Sequence, residues 1–174
     1  MNYFEFYDLP ESFVVDAGTL KKKFYELSKR YHPDFYANED EAKQQEILEL
    51  STLNNKAYQV LGDPAKRTEY ILKLHDLLPE GDKYELAPAF LMEMMDINEA
   101  LMEVNDAAQL AAITQQIADF ENDLNDELAK QTIGFEIADT LAKDAKLKAI
   151  KDIYFRQKYL LRIKDSLNTF AARL

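Results

Sequence analysis

The fold of this chain is decided by the stretch KRYHPDFYANED, residues 29–40. Before its proline, Leu20, Phe24 and Leu27 recur at steps of four and three residues, the apolar spacing of one helix face. Proline disfavours helical backbone in the residue before it and supplies no amide donor, so this helix must end near His32. A short polar loop therefore separates the first helix from the next one.

The sequence around the loop predicts a helical hairpin. A second long helix begins at residues 38–40 and is broken by the Gly-Asp-Pro sequence at residues 62–64. A shorter helix follows from about residue 65 to residue 77, and a short segment at residues 4–7 is expected to pack on the hairpin. Residues 1–76 are therefore predicted to form one domain, an antiparallel hairpin with flanking short helices.

The rest of the chain predicts a second helical domain. Proline and glycine mark a linker at residues 77–88, and the apolar pattern of residues 89–174 predicts three helices, at about 89–105, 107–130 and 135–172. In the first of them Phe90, Met94 and Ile97 begin a core stripe at steps of four and three. A small three-helix bundle is the expected architecture.

The last predicted helix carries two apolar stripes. One consists of Ile150, Tyr154, Leu161 and Leu174, and the opposite one of Phe155, Tyr159, Ile163 and Phe170. One stripe is expected to be core and the other a contact surface, and the pattern alone leaves open which is which.

The composition favours an all-α fold and excludes several classes of function. The 174 residues include only four glycines and five prolines, and Ala, Leu, Lys, Glu and Asp dominate. A chain of this length forms one or two compact domains but no large catalytic domain. It has no cysteine, and only His32 and His75 offer imidazole, so we expect neither a metal site nor a cofactor.

The charge pattern indicates the kind of partner. A net charge of -11 argues against nucleic acid and anionic membrane, which both require a basic surface. The N-terminus has no signal-like run, and no stretch approaches the roughly 20 apolar residues that span a bilayer. We therefore expect a cytoplasmic protein. Residues 84–129 hold no Lys or Arg whereas residues 130–174 are rich in both, which predicts acidic and basic helices packed side by side.

The His-Pro-Asp loop, residues 32–34, is the point of chemical interest. His32 and Asp34 could form an acid/base pair, but no nucleophile or third orienting group is expected beside them, so we do not expect an enzyme. One histidine with one aspartate also falls short of a metal site. A proline between two polar residues instead presents both side chains with little entropy left to lose on binding.

A basic stripe on the first helix leads to this loop. It consists of Lys21, Lys22, Lys29 and Arg30, with Lys23 beside them. Such stripes are usually plain solvated surface. Because this one leads to a rigid loop on an acidic chain, it is expected to steer a negatively charged protein partner to the loop.

One face of the first bundle helix lies opposite its core stripe. At about 100° per residue, one sector collects Met92, Met95, Asp96, Glu99 and Glu103, with Leu91 and Met102 at its edges. We call this sector the methionine face. Polarizable methionines beside carboxylates are typical of a partner surface, although packing against the N-terminal domain would explain them equally.

The loop and the helix after it carry a family resemblance. The run Tyr31-His32-Pro33-Asp34, followed by Asn55, Ala57, Tyr58, Leu61, Asp63, Pro64, Arg67 and Tyr70, resembles the J domain of the DnaJ superfamily. The resemblance covers about residues 1–76 and implies docking on a DnaK-type chaperone whose ATPase is stimulated. It implies the activating role for His32, Pro33 and Asp34, and the docking role for Lys21, Lys22, Lys29 and Arg30. The hydrolytic groups would belong to the partner.

Nearly the whole chain resembles one branch of these proteins, the HscB family of iron-sulfur cluster assembly. The resemblance is carried by residues 2–4, residues 69–75, and residues 90–93 with the acidic residues that follow them. It implies that an IscU-type scaffold protein is delivered to a DnaK/HscA-type chaperone. The implied scaffold contacts are Leu91, Met92, Met95, Asp96, Glu99, Glu103 and Tyr159. The alternative is a general J-domain co-chaperone with a different client.

Overall fold

A computed structural model describes residues 1–173 of the protein. Every regular element in this range is helical, which confirms the all-α prediction. The chain divides into two compact units, Met1–Asp76 and Leu77–Leu174. None of the helices in the described range combines the length and the hydropathy that crossing a bilayer requires.

The N-terminal unit is built around the predicted hairpin. Its helices are α1 (Tyr3–Phe6), α2 (Ala17–Arg30), α3 (Glu41–Gly62) and α4 (Pro64–Leu74). Helices α2 and α3 pack against each other, and the residues between them contain the His-Pro-Asp loop. As predicted, α2 ends just before His32, because the following proline cannot continue it.

A buried asparagine ties this unit together. Asn54 is 1% exposed, and its amide nitrogen donates to Ser28 Oγ at 3.1 Å and to the carbonyl of Phe24 at 3.2 Å. Its amide oxygen accepts from the Tyr7 hydroxyl at 2.7 Å. Burial raises the pKa of Tyr7, which keeps that hydroxyl a donor. Since these buried groups are satisfied, the network holds α2, α3 and the N-terminal segment in one arrangement.

The C-terminal unit contains the three predicted long helices. They are α5 (Pro88–Met102), α6 (Ala107–Thr132) and α7 (Thr140–Ala171). The core stripe predicted for α5 is confirmed, because Phe90, Met94 and Ile97 are all buried in the core that the three helices share. Leu101 of the same stripe completes the α5 contribution.

The start predicted for the last helix was wrong. A 3-10 turn occupies Phe135–Ile137, and α7 begins only at Thr140. Gly134 has a φ of 71°, which glycine adopts without strain, and this turns the chain out of α6. Asp139 then caps α7 by accepting from the amide of Ala142 at 2.8 Å.

Neither of the two apolar stripes predicted for α7 coincides with its buried face. Leu161 of the first stripe is 56% exposed, whereas Ile163 of the second is 2% exposed and buried. Ile150 is buried as expected, and Leu174 lies outside the described residues. Because α5 and α6 both pack on α7, its buried face is centred between the two stripes, on Ile153, Leu160 and Leu167.

The chain just before α5 is fixed to α7 by a tyrosine. The ring of Tyr84 stacks on Phe155 with centroids 4.6 Å apart, and its hydroxyl bonds to Asp152 Oδ1 at 2.6 Å. Partial burial and this hydrogen bond raise the pKa of Tyr84 to about 12. The C-terminal part of the predicted linker therefore packs on the bundle.

Aspartates cap most of the long helices. The caps of α2, α3, α4, α6 and α7 are Asp16, Asp40, Asp63, Asp106 and Asp139, each accepting from a first-turn amide. Within residues 1–173, α5 differs from these helices. Its N-cap is Ala87, which supplies no side-chain hydrogen bond, and Pro88 takes its first position.

Candidate functional site

The His-Pro-Asp loop is a single short turn with its polar groups outward. His32 caps the 3-10 turn Pro33–Tyr36, and its Nδ1 accepts from the amide of Asp34 at 3.2 Å. The side chains of His32 and Asp34 are 53% and 87% exposed, and Nδ1 lies 3.7 Å from Asp34 Oδ2. Proline at the first position fixes the backbone of the turn. The loop thus presents an imidazole and a carboxylate in a defined arrangement.

Hydrogen bonds from outside the motif hold the loop in place. The Tyr36 hydroxyl donates to the carbonyl of Arg30 at 2.8 Å, which joins the turn to the end of α2. The Gln44 side chain donates to the carbonyls of Ala37 and Glu39 at 3.2 and 2.9 Å, which joins it to α3. The sequence analysis missed both residues. For Tyr36 the available signal was its position two residues after the motif, whereas Gln44 lies in α3, ten residues after Asp34, and its spacing gave no such signal.

An apolar groove of about 560 Å³ lies beside the loop. Phe35 and Tyr25 are 74% and 54% exposed. The rings of His32 and Phe35 make an edge-to-face contact, with centroids 6.0 Å apart. The sequence analysis missed these two aromatic residues as well. The groove is lined by Tyr25, Ser28, Lys29, His32, Asp34 and Phe35.

The expectation that no nucleophile lies beside His32 and Asp34 was wrong, because the side chain of Ser28 lines the same groove. That hydroxyl donates to the carbonyl of Phe24 at 2.7 Å and accepts from Asn54 at 3.1 Å. Its proton is therefore committed to the helix backbone rather than to the imidazole. The arrangement suits docking of a partner better than nucleophilic attack by the serine.

The basic stripe shares a face with this groove. Lys21, Lys22, Lys29 and Arg30 are all exposed. At about 100° per residue, Lys21, Lys22 and Lys29 fall on the side of α2 that also carries Tyr25. Arg30 lies further round, and its Nη2 pairs with Glu26 Oε1 at 2.9 Å. The three lysines are thus placed to surround an apolar contact with positive charge.

The methionine face of α5 is open to solvent. Met92 and Met95 are 66% and 57% exposed, and Met102 at its edge is 74% exposed. Asp96, Glu99 and Glu103 are exposed, whereas Leu91 is partly buried. The structure therefore places these predicted site residues on one accessible surface, with Leu91 at its inner margin.

Among the described residues, the carboxylates of this face form no ion pair. Within residues 1–173, no nitrogen of a basic side chain lies within 4.0 Å of the carboxylates of Asp96, Glu99 or Glu103. Glu103 also takes the C-cap of α5, where the helix dipole disfavours a negative charge. Glu103 therefore does not stabilise its end of the helix, and the three exposed carboxylates are available to a positively charged partner.

Acidic residues of α6 behave differently. Glu127 pairs with Arg156 of α7 at 2.9 Å, and Glu121 pairs with Lys164 at 2.9 Å. The side-by-side packing of acidic and basic helices predicted from the charge pattern is confirmed for this pair. The unpaired carboxylates of α5 are therefore distinct from the acidic residues of α6 that complement α7.

Tyr159 reaches only one end of the methionine face. Tyr159 is partly buried against the core. Its ring makes an edge-to-face contact with the ring of Phe90, with centroids 6.0 Å apart. Phe90 directly precedes Leu91, so the structure brings Tyr159 to the first turn of α5. Glu103 lies at the opposite end of the helix.

Two family models match the chain. Residues 2–70 match the DnaJ domain, and residues 86–168 match the HSCB C-terminal oligomerisation domain. The co-chaperone protein HscB homolog of Vibrio vulnificus strain YJ016 is 37% identical over 139 residues, covering 72% of this chain and 81% of that protein. The human iron-sulfur cluster co-chaperone protein HscB is 30% identical over 167 residues, covering 95% of this chain and 67% of that protein.

Two solved structures have the same fold. The crystal structure of human co-chaperone protein HscB superposes with a TM-score of 0.73 at 28% identity, covering 100% of this chain and 84% of that one. Chaperone HscB from Vibrio cholerae superposes with a TM-score of 0.61 at 26% identity, covering 99% of both chains. The likeness extends through both compact units.

Proposed function

We propose a function from one premise: the chain belongs to the HscB family of J-domain co-chaperones, which is not a family of enzymes. We infer that it stimulates the ATPase of a DnaK/HscA-type chaperone through its His-Pro-Asp loop. We further infer that it delivers an IscU-type iron-sulfur scaffold protein to that chaperone. The observation that carries this proposal is that the His-Pro-Asp loop is exposed and is held in place by hydrogen bonds from Tyr36 and Gln44.

Activation of the chaperone is a matter of presentation. His32, Pro33 and Asp34 supply a cap, a fixed backbone and an exposed carboxylate, so little conformational entropy remains to be lost when the partner docks. The Asp34 carboxylate offers acceptors to a cationic or hydrogen-bonding group of the partner. The catalytic groups for hydrolysis belong to the chaperone.

Docking combines charge with an apolar contact. Lys21, Lys22 and Lys29 attract an acidic surface, which raises the association rate more than the final affinity. Arg30, whose charge is partly met by Glu26, contributes less to this attraction. The groove beside Phe35 and Tyr25 then receives an apolar group of the chaperone, because exposed aromatic rings gain most when a partner covers them.

Scaffold binding is assigned to the methionine face. The proposed contacts are Leu91, Met92, Met95, Asp96, Glu99, Glu103 and Tyr159. Met92 and Met95 supply flexible apolar contact, and the three unpaired carboxylates supply charge for a basic surface on the scaffold. Tyr159 supports the first turn of α5 through Phe90, and acts chiefly by positioning Leu91 and Met92.

The test is steady-state ATP hydrolysis by the purified chaperone. We expect stimulation by the full-length chain, and greater stimulation by the chain with the scaffold than by either alone. The chain without chaperone should show no turnover. Stimulation without any scaffold complex would favour the general J-domain co-chaperone, and absence of stimulation would refute the chaperone role itself.

A further inference from the structure

Helix α5 concentrates the sulfur of this chain. The chain has five methionines and no cysteine, and the methionines other than Met1 all lie on α5. Met92, Met95 and Met102 are 66%, 57% and 74% exposed, whereas Met94 is 0% exposed. One helix therefore offers three thioethers to solvent and hides a fourth between them.

The exposed thioethers form one surface. Met95 and Met102 are separated by two helical turns and lie nearly in line, with Met92 beside them. Asp96, Glu99 and Glu103 border them with exposed negative charge that forms no ion pair in the part of the chain that the structure describes. A chemical change at these sulfurs would alter one continuous face while leaving the core side of α5 untouched.

We propose that Met92, Met95 and Met102 form a peroxide-sensitive modification site that switches partner binding at the methionine face. The switch rests on the proposed function, because the binding that it controls is that of the scaffold. Met102 thereby joins the functional surface, although no family resemblance assigned it a role.

The reaction needs only a peroxide and the thioether. A lone pair of the methionine Sδ attacks one peroxide oxygen, an S–O bond forms and the O–O bond breaks. The sulfur loses two electrons, and the hydroxyl now bound to it gives up its proton to leave a sulfoxide. The departing hydroxide takes up a proton, so hydrogen peroxide is reduced to water. Since the chain has no thiol, no cysteine of its own consumes the oxidant first.

The modification opposes binding for two reasons. A sulfoxide is polar and rigid where the thioether was apolar and adaptable, so burying it against a partner costs desolvation. Its partly negative oxygen would also stand beside Asp96, Glu99 and Glu103, which adds negative charge to a face already lacking a counterion. Met94 stays reduced because the core covers it, so the bundle keeps its packing.

Peptide mass mapping tests the modification. The full-length chain is treated with dilute hydrogen peroxide under native conditions. We expect one added oxygen at each of Met92, Met95 and Met102, and at Met1, which is 81% exposed and serves as the positive control. Met94 should react only after denaturation. Equal oxidation of Met94 in the native chain would overturn the site.

Scaffold binding tests the switch. Oxidised chain should bind the purified IscU-type scaffold about tenfold more weakly, the loss typical of one important interface residue. Treatment with methionine sulfoxide reductases should restore binding, because sulfoxide formation is reversible by these enzymes. ATPase stimulation measured without scaffold should not change, since the His-Pro-Asp loop contains no sulfur.

A sulfur-free variant provides the matched control. The triple variant M92L/M95L/M102L has no oxidisable sulfur on this face, so its affinity for the scaffold, whatever its value before treatment, should be the same before and after peroxide. Undiminished binding by oxidised wild type would refute the switch alone. Failure of the untreated wild type to bind scaffold would instead refute the proposed function and the switch with it, while the mass pattern would still decide the modification site.

Discussion

The His-Pro-Asp loop and the methionine face differ in how their side chains are held. Pro33, the His32 cap and the hydrogen bonds from Tyr36 and Gln44 fix the loop before any partner arrives. On the methionine face, Met92 and Met95 are exposed and have unbranched side chains, and within residues 1–173 the neighbouring carboxylates form no ion pair. The loop is therefore a rigid surface with few contact groups, whereas the methionine face is an adaptable surface with many.

This difference determines which of the two surfaces is more sensitive to a single substitution. A preorganised loop concentrates its effect in one or two groups, so a single change can remove its function. An adaptable surface spreads binding energy over several weak contacts and tolerates single changes better. Substitutions at the two surfaces test that contrast, and the largest effect is expected at the loop.

The substitution His32→Gln should abolish ATPase stimulation, so that the chaperone turns over ATP at its basal rate. Glutamine loses the imidazole and its ring contact with Phe35, while the fold, which does not depend on this exposed side chain, should persist. The measurement is chaperone ATP turnover, with circular dichroism to check folding. The control is His75→Gln at the other end of the unit, which should keep full stimulation. Substantial stimulation by His32→Gln would show that the loop is not the activating group.

Replacing Met92→Ala together with Glu99→Ala should weaken scaffold binding by about tenfold. The pair removes one apolar contact and one unpaired carboxylate, and neither lies in the core. Calorimetric titration with the scaffold measures the effect. The matched control is Leu161→Ala with Asp123→Ala, an exposed leucine and an exposed acid elsewhere on the bundle. Equal weakening in both double variants would argue against a localised face.

The substitution Gln44→Ala should reduce the affinity for the chaperone by roughly threefold. This is the loss expected when interactions that stabilise the loop by about the net free energy of one hydrogen bond are removed. The loop keeps its sequence but loses two hydrogen bonds to the carbonyls of Ala37 and Glu39. The concentration of the chain at half-maximal stimulation measures the change. Gln45→Ala is the matched control, since the Gln45 side chain donates to Glu49 Oε1 at 2.9 Å on the surface of α3 and not to the loop carbonyls that Gln44 meets. No difference between the two variants would mean that preorganisation contributes little.

The smallest effect is expected from pH at Tyr84. Its pKa is raised from 10.0 to about 12 in the folded chain, so the folded state favours the protonated phenol. The stability that this contributes is fully present below pH 10 and is lost as the pH rises from 10 towards 12. Denaturant unfolding at pH 9 and pH 11 should show a smaller loss for Tyr84→Phe than for the wild type. Identical losses would place the pH dependence elsewhere.

Much of the architecture followed from the sequence because its signals are local. Pro33 ends α2, and the α5 stripe from Phe90 to Leu101 faces the core. These features depend on a few neighbouring residues. The loop of the candidate site was predictable for the same reason.

What escaped the sequence analysis depends on packing between distant segments. The core face of α7 is set by two neighbours at once, which is why Leu161 is exposed and Ile163 buried. The bracing role of Gln44 needs the return of α3 beside the loop, and the groove at Phe35 needs Tyr25 one helix earlier. Periodicity within one helix contains none of this information.

Helix α5 begins without the side-chain cap that the other long helices have, and this bears on its amide hydrogen exchange. A cap contributes about 1 kcal/mol, so the first turn of α5 opens at a lower free energy than the first turns capped by aspartate. Residues 89–92 should therefore exchange fastest among those turns. These residues include Leu91 and Met92, so a bound partner would be reported there first, as slowed deuterium uptake at the end of the helix that is least protected on its own.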